Sequence, residues 1–414
     1  MITSQTLSYP VSLTRVQSAA RTAIFTSLGS LNAGSITVVE KFAGHSPARV
    51  EQFTASAQPE LAAVIEIYNP DFYSRVIRGG SIAAAEAYMD GWWDSPNLTV
   101  LTRLMAVNMA ALDDIERRSG WLKRCAYKIG HWLNRNTQSN SRQNIEAHYD
   151  LGNELYETFL DRNMLYSSGI FATAEDSLDQ AQINKMERLC QQLQLKPDDH
   201  VLEIGTGWGA MAIYMAQRYQ CRVTTTTISR EQHDYAAEKI AELGLQDQIT
   251  LLLEDYRDLS GEYDKLVSVE MIEAVGKQFL GSYIAKCQSL LKPGGILALQ
   301  AITITDQRYH DYSRSVDFIQ KYIFPGGFLP SVGAINQATT RYSNLVLRDL
   351  KDIGLDYATT LAHWRLRFEA AAERIHQLGY DERFMRMWRY YLCYCEGGFL
   401  ARSISTVHMT YQRV

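Results

Sequence analysis

A chain of 414 residues exceeds the ~150 residues of a typical domain more than twofold, so two or three domains and a large buried core are expected. Hydrophobic residues make up 46% and charged residues 21%, a globular balance that excludes wholesale disorder. The 41 Lys and Arg against 46 Asp and Glu leave a net charge of −5, which argues against nucleic acid as the main partner. A spanning helix needs ~18 or more uninterrupted apolar residues. The nearest run, 98–112, carries Arg103 and Asn108. Six cysteines (Cys125, Cys190, Cys221, Cys287, Cys393, Cys395) form no C-x-x-C, and the nine histidines show no ligand spacing. No metal site is expected, and a reduced cytosolic protein is the simpler reading.

Residues 1–34 read as a loosely attached amphipathic leader, with Arg15 and Arg21 ahead of the first acid, Glu40. A small α+β unit follows over 35–135. It opens with a β-prone stretch at 35–42, alternates apolar and polar residues around Ala62, Val64, Ile65 and Ile67, and turns helical near 82–89. Its last part holds Arg117, Arg118, Lys123, Arg124, Lys128 and Arg135 with no acid between them, interleaved with Trp121, Tyr127 and Trp132. That mix suits either a segment lying on an anionic membrane surface or a solvated basic helix face. The polar run 136–143 is a linker candidate.

From 144 to the end at 414 the patterns alternate between helix and strand. Helices are predicted at 179–195, 210–219, 230–243 and 279–291, and strands at 201–204, 222–227, 249–253, 263–269 and 295–304. Such alternation predicts an α/β fold with a mostly parallel sheet and helices on both faces. The strand at 201–204 runs into Gly205-Thr-Gly-Trp-Gly209 and then a helix, so glycines permit a tight turn where backbone amides stand unpaired. The third glycine comes one residue too early for a dinucleotide fingerprint. Glu203 before the first glycine gives E-x-G-x-G, the form in which methyltransferases wrap the amino-acid part of S-adenosylmethionine. The second strand ends in Thr224-Thr-Thr-Thr-Ile-Ser229 without an acid to grip ribose, which counts against NAD.

Seven stretches in order extend the pattern: H-Y-D-L-G-N at 148–153, Y-S-S-G-I-F at 166–171, E-I-G-T-G-W-G at 203–209, T-I-S-x-x-Q at 227–232, D-Y-R-D at 255–258, E-M-I-E-A-V-G at 270–276, and K-Y-I-F-P-G-G at 321–327 with L-P-S at 329–331. Together they resemble the cyclopropane-fatty-acyl-phospholipid synthase family over 144–402. The zone around A-Y-M-D-G-W-W-D at 87–94 resembles the small N-terminal domain of its longer bacterial members more loosely. The resemblance implies a Rossmann-like class I methyltransferase sheet behind a small N-terminal α+β domain. It also implies an enzyme that works at the inner face of the membrane and adds the S-adenosylmethionine methyl to the double bond of a phospholipid acyl chain. Cofactor contacts then fall on Tyr166, Ser167, Gly205, Gly207, Thr227, Gln232 and Tyr256.

In ring-forming members a bound bicarbonate takes a proton from the new methyl group, and its ligands correspond to Ser168, Glu273, Gln300, Ile302 and Tyr357, the catalytic set. Glu273, Ile302 and Tyr357 match. The usual Cys is Ser168, the usual His is Gln300, and the His after the glutamate is Ala274. Losing imidazole donors weakens capture of an anion, although a Gln amide and a Ser hydroxyl can still donate. These departures lean towards the branch of the family that makes methyl- or methylene-branched chains, with ring formation left open. Cys395 matches a family cysteine and equally suits a buried structural thiol. A small-molecule N-methyltransferase and a non-catalytic lipid-binding module are the alternatives, and monomer or homodimer is not readable.

Overall fold

The computed structural model describes residues 13–42, 48–109 and 151–414, so the basic zone at 117–135, the linker at 136–143, Cys125 and the start of the H-Y-D-L-G-N motif lie outside the described residues. Two compact units emerge: the described residues up to 109 together with 380–403, and residues 151–379 together with 404–414.

The first unit is built on β1 (Ala33–Glu40), β2 (Arg49–Thr54), β3 (Ala57–Ile67) and β4 (Trp93–Asp94), ordered β2-β1-β3-β4. Strand β3 buries Leu61, Ala63, Ile65 and Ile67 on one face, the alternation that a half-solvated sheet requires. Helices Asp71–Met89 and Leu98–Val107 pack against its strands, and both are packed in turn by a third helix, Glu382–Leu400. The last of these is placed in the catalytic domain by sequence order, yet its anchors all lie in the first unit. Arg386 donates to Tyr88 O, Trp93 O and the Asp94 carboxylate, Glu396 accepts from Thr99 Oγ1 at 2.9 Å, and Gly397 leaves room for Thr102.

The expected leader also differs over Arg15–Leu28, which is a packed helix with a Thr14 capping box. Its stripe of Ala20, Ile24 and Leu28 is buried, and Arg21 pairs with the buried Glu40 at 2.6 Å, an acid that also accepts from Tyr73. A carboxylate that deep needs a cation, and this helix supplies it.

In the second unit, β5 (His200–Ile204), β6 (Arg222–Thr226), β7 (Ile249–Leu252), β8 (Tyr263–Val269), β9 (Leu291–Ile304), β10 (Leu345–Asp352) and β11 (Ile404–Arg413) form one sheet in the order β7-β6-β5-β8-β9-β11-β10. The first five are parallel to their neighbours, and β11 runs antiparallel between β9 and β10. Helices lie on both faces. Leu202, Leu266, Tyr283 and Ile284 fill one layer, while Val201, Val223, Val267, Met211 and Leu189 fill the other. Burial on both faces explains the near-continuous apolar reading of these strands. Strand order reverses between β5 and β8, which opens a crevice at their carboxyl ends.

Within the first unit, Asn108 is fully buried and makes four hydrogen bonds: it accepts from Asn32 and Ala33 N–H and donates to Ala33 O and Leu104 O. Asn108→Ala strands these groups, so denaturant unfolding should show a loss of roughly 2–4 kcal/mol.

Candidate active site

The crevice begins where β5 ends. Gly205, Gly207 and Gly209 all have positive φ, at 104°, 53° and 95°. The N–H groups of Gly205 and Thr206 both donate to Thr226 O at 3.0 Å, which ties the turn to β6. A Cβ on Gly209 would come within 3.1 Å of Ala236 Cβ, so that glycine serves helix packing. A Cβ on Gly207 would meet nothing within 4 Å and faces open space at the mouth of the turn, a cradle that suits the amino-acid part of S-adenosylmethionine. Glu203 is turned inward, accepts from Thr225 Oγ1 at 2.6 Å, and is pushed up by burial to about 8. The acid of the E-x-G-x-G pattern therefore pins the turn to β6.

Thr227 and Gln232 meet at the end of β6, where Thr227 Oγ1 donates to Gln232 Oε1 at 3.0 Å and accepts from Ser229 N–H. Ser229 caps the helix that begins at Arg230. Tyr256 follows β7, and its ring packs edge-on against Tyr283 at 5.4 Å. The segment before the sheet brings in Tyr166, Ser167 and Ser168. Tyr166 belongs to an aromatic cluster with Tyr156 at 5.3 Å, Trp364 at 5.2 Å and Phe324 at 6.3 Å. Ser167 Oγ accepts from the buried Lys185 Nζ at 2.7 Å.

Four residues of the expected catalytic set converge on the fifth, Glu273, and on its neighbour Glu270, just past the end of β8. Ser168 N–H and Gln300 Nε2 donate to Glu270 Oε1 at 2.9 and 2.6 Å, and Tyr357 OH donates to Glu270 Oε2 at 2.9 Å. The Ile302 N–H donates to Glu273 Oε1, and Glu273 Oε2 has no partner among the described residues. Glu270 is the residue that sequence reasoning passed over. It opens the E-M-I-E run three positions before Glu273, at the carboxyl end of a core strand, and that pairing was the available signal. It also holds a φ of 49°, uncommon outside glycine and sustained here by its three donors.

The acids divide their charge. Burial pushes both up, but the Ser168, Gln300 and Tyr357 donors, with the charge of Lys185, restrain Glu270. Glu273 is pushed to about 8, by burial first and then by the neighbouring Glu270. Of the two, Glu270 is the acid whose donors favour the carboxylate, and Glu273 is the one favoured to keep its proton.

The bicarbonate donors fare differently. Gln300 Nε2 gives its two hydrogens to Glu270 and to Ser168 O at 3.2 Å, Ser168 Oγ donates to Gly169 O at 2.9 Å, and the Ile302 N–H and Tyr357 OH are engaged by Glu273 and Glu270. Four of the five groups already have acceptors within the protein, so the site as built does not fit an added anion.

The strand order, the glycine turn after β5 and the open space at Gly207 define a class I S-adenosylmethionine-dependent methyltransferase. The chain belongs to the mycolic acid cyclopropane synthetase family, whose profile matches residues 136–409. It is 38% identical to the tuberculostearic acid methyltransferase of Mycobacterium tuberculosis over 388 residues, covering 90% of each chain. It is 40% identical to the cyclopropane-fatty-acyl-phospholipid synthase of Escherichia coli over 354 residues, covering 85% of this chain and 88% of that one. A mycolic acid cyclopropane synthase crystallised with SAH and CTAB superposes with a TM-score of 0.63 at 26% identity, over 66% of this chain and 98% of the other. The protein is accordingly a methyltransferase of fatty acyl chains that uses S-adenosylmethionine.

Two outcomes are expected. Gly207→Ala adds a methyl group where the protein itself has space, so S-adenosylmethionine affinity by calorimetric titration should fall at least ~10-fold while the αL penalty stays near ~1–2 kcal/mol of stability. For Glu273, the folded value near 8 stands above the ordinary 4.5. Between these limits the unfolded chain releases a proton that the folded chain keeps, so this group's contribution to stability falls as pH rises. Glu273→Gln removes that slope. Relative to wild type, the variant should gain stability from pH 5 to pH 8 in urea unfolding, by at most about 1.4 kcal/mol per pH unit.

Proposed function

We propose that this enzyme methylates the double bond of an unsaturated acyl chain in a membrane phospholipid and releases a methyl- or methylene-branched chain rather than a cyclopropane. S-adenosylmethionine supplies an electrophilic methyl on a sulfonium, held by Gly205, Gly207, Thr227, Gln232, Tyr166, Ser167 and Tyr256. An alkene is a weak nucleophile, so alignment and exclusion of water carry much of the catalysis. One alkene carbon bonds to the methyl as the carbon–sulfur bond breaks, and the positive charge falls on the neighbouring carbon of the chain. The half-buried ring of Tyr166 and the carboxyl of Glu270 are the groups suited to stabilise that charge. Loss of a proton from a chain carbon, with Glu270 as acceptor, then leaves a methyl-branched alkene; if hydride first shifts from the methyl-bearing carbon to its cationic neighbour, loss of a proton from the new methyl to the same acceptor leaves a methylene branch.

The observation that carries the branched product is the internal engagement of Gln300, Ser168, Ile302 and Tyr357. Where ring-forming relatives hold a separate base, these donors serve Glu270, Glu273 and the backbone. Substrate access rests on the basic, tryptophan-bearing stretch 117–135, whose composition suits an anionic bilayer.

Expression in a host whose lipids lack methylated chains, followed by mass spectrometry of the released methyl esters, should reveal branched acyl groups. Cyclopropane as the main product would overturn the branch assignment. Glu270→Gln should lower turnover ~100-fold or more with cofactor affinity retained, in the range of a general acid-base group. Membrane docking is tested by co-sedimentation with anionic vesicles. Binding should weaken as the Debye length falls from ~10 Å at 0.1 M salt to ~3 Å at 1 M.

A further inference from the structure

Gln300 stands where ring-forming relatives are expected to carry histidine, and the structure places an imidazole directly behind it. Strands β9 and β11 run antiparallel with Gln300 opposite His408, and both residues are buried. His408 Nε2 lies 2.9 Å from Gln300 Oε1. On its other side, the Gln300 amide donates to Glu270 Oε1 and Ser168 O. The two ends of a glutamine amide are nearly alike in shape, so partners alone decide which end faces where. Turned over, Gln300 would set its oxygen against the Glu270 carboxylate and the Ser168 carbonyl, cost each of them a donor, and leave Glu270 Oε1 with the Ser168 N–H alone on that side.

We propose that His408 is a positioning residue for this site: its Nε2–H holds Gln300 Oε1, so that both amide hydrogens face forward and keep the Glu270 carboxyl aimed and supplied with a donor. The role rests on the reading of Glu270 as the group beside the reacting alkene. His408 never meets the substrate and acts through Gln300.

The ring has one hydrogen to give. Burial first, then the charges of Arg188, Lys185 and Lys351, lower its pKa to about 3, so it is neutral at working pH. Gln300 Oε1 faces Nε2 in a fully buried setting, whereas Gln192 Oε1, 3.1 Å from Nδ1, belongs to a half-exposed side chain that also donates to Asp349. The inner contact has no substitute for the hydrogen, while the outer one is within reach of water. The hydrogen therefore sits on Nε2, and the outer contact gives way.

The first test reads the wild-type protein by nitrogen NMR with labelled histidine, the signal assigned by its loss in His408→Gln. A protonated Nε2, a bare Nδ1 and no titration from pH 5 to 8 are expected. The opposite tautomer, or a ring titrating near its usual ~6.5, would overturn the proposal. The second test compares His408→Leu, which fills the space without a donor, with His408→Gln, which supplies an amide N–H. Methyl transfer to vesicles of unsaturated phosphatidylethanolamine should lose about tenfold or more in kcat for the Leu variant, with S-adenosylmethionine affinity unchanged, and recover most of it in the Gln variant. Equal rates in the two variants, or an unchanged kcat in a folded Leu variant, would refute it. If the Leu variant fails to fold, the tautomer and the Gln variant's rate against wild type decide. A wild-type protein that methylates no unsaturated lipid would instead fail the functional reading, and the tautomer would still report on the hydrogen bond.

Discussion

The half-buried carboxylate of Glu270, just past the end of β8, sets the terms for this half of the molecule. Glu270 cannot remain charged away from water unless donors surround it. The three it has come from residues 168, 300 and 357, far apart in the chain. Satisfying one side chain thus holds the Ser168 segment, the middle of β9 and the start of the Gly354–Ala370 helix in register with one another. The same donors hold Glu270 in a left-handed backbone conformation that a non-glycine residue rarely adopts.

Two acids three residues apart would repel each other if both were ionised, and the protein avoids this by unequal provision. Glu270 receives three donors. Glu273 receives one backbone N–H and leaves an oxygen bare. The unequal provision favours the charge on Glu270 and the proton on Glu273. Close by, the half-buried ring of Tyr166 packs on the fully buried Tyr156 and Trp364, and it is the ring of the three with exposed surface. A site of this kind suits a reaction whose hard moment is a short-lived positive charge on a hydrocarbon.

The chain is comparably similar to a tuberculostearic acid methyltransferase and to a cyclopropane-fatty-acyl-phospholipid synthase, so overall identity does not separate a branched product from a ring. The distinction lies in a few side chains. With Ser168 and Gln300 bonded to their own surroundings and Ala274 beside Glu273, the polar groups look inward to the protein. His408 shows how an imidazole absent from one strand can stand on the next.

Periodicity and glycine placement in the sequence determined the parallel core of the sheet, because strands buried on both faces read as apolar runs and a turn with positive φ favours glycine. Elements such as 210–219 and 263–269 were legible to the residue for that reason. The motifs also carried the family and the neighbourhood of Glu273. They could not separate Gly207, which faces open space, from Gly209, which faces Ala236, since one-dimensional spacing does not record what a missing side chain would touch. Nor could they show that the helix Glu382–Leu400 packs in the first unit, or that Arg15–Leu28 is anchored through Glu40, because those choices depend on partners hundreds or tens of residues away. Only the tertiary structure decided that Glu270 is the acid that receives three donors and that His408 stands behind Gln300, because both follow from the register of strands and from packing, which exist only once the chain has folded.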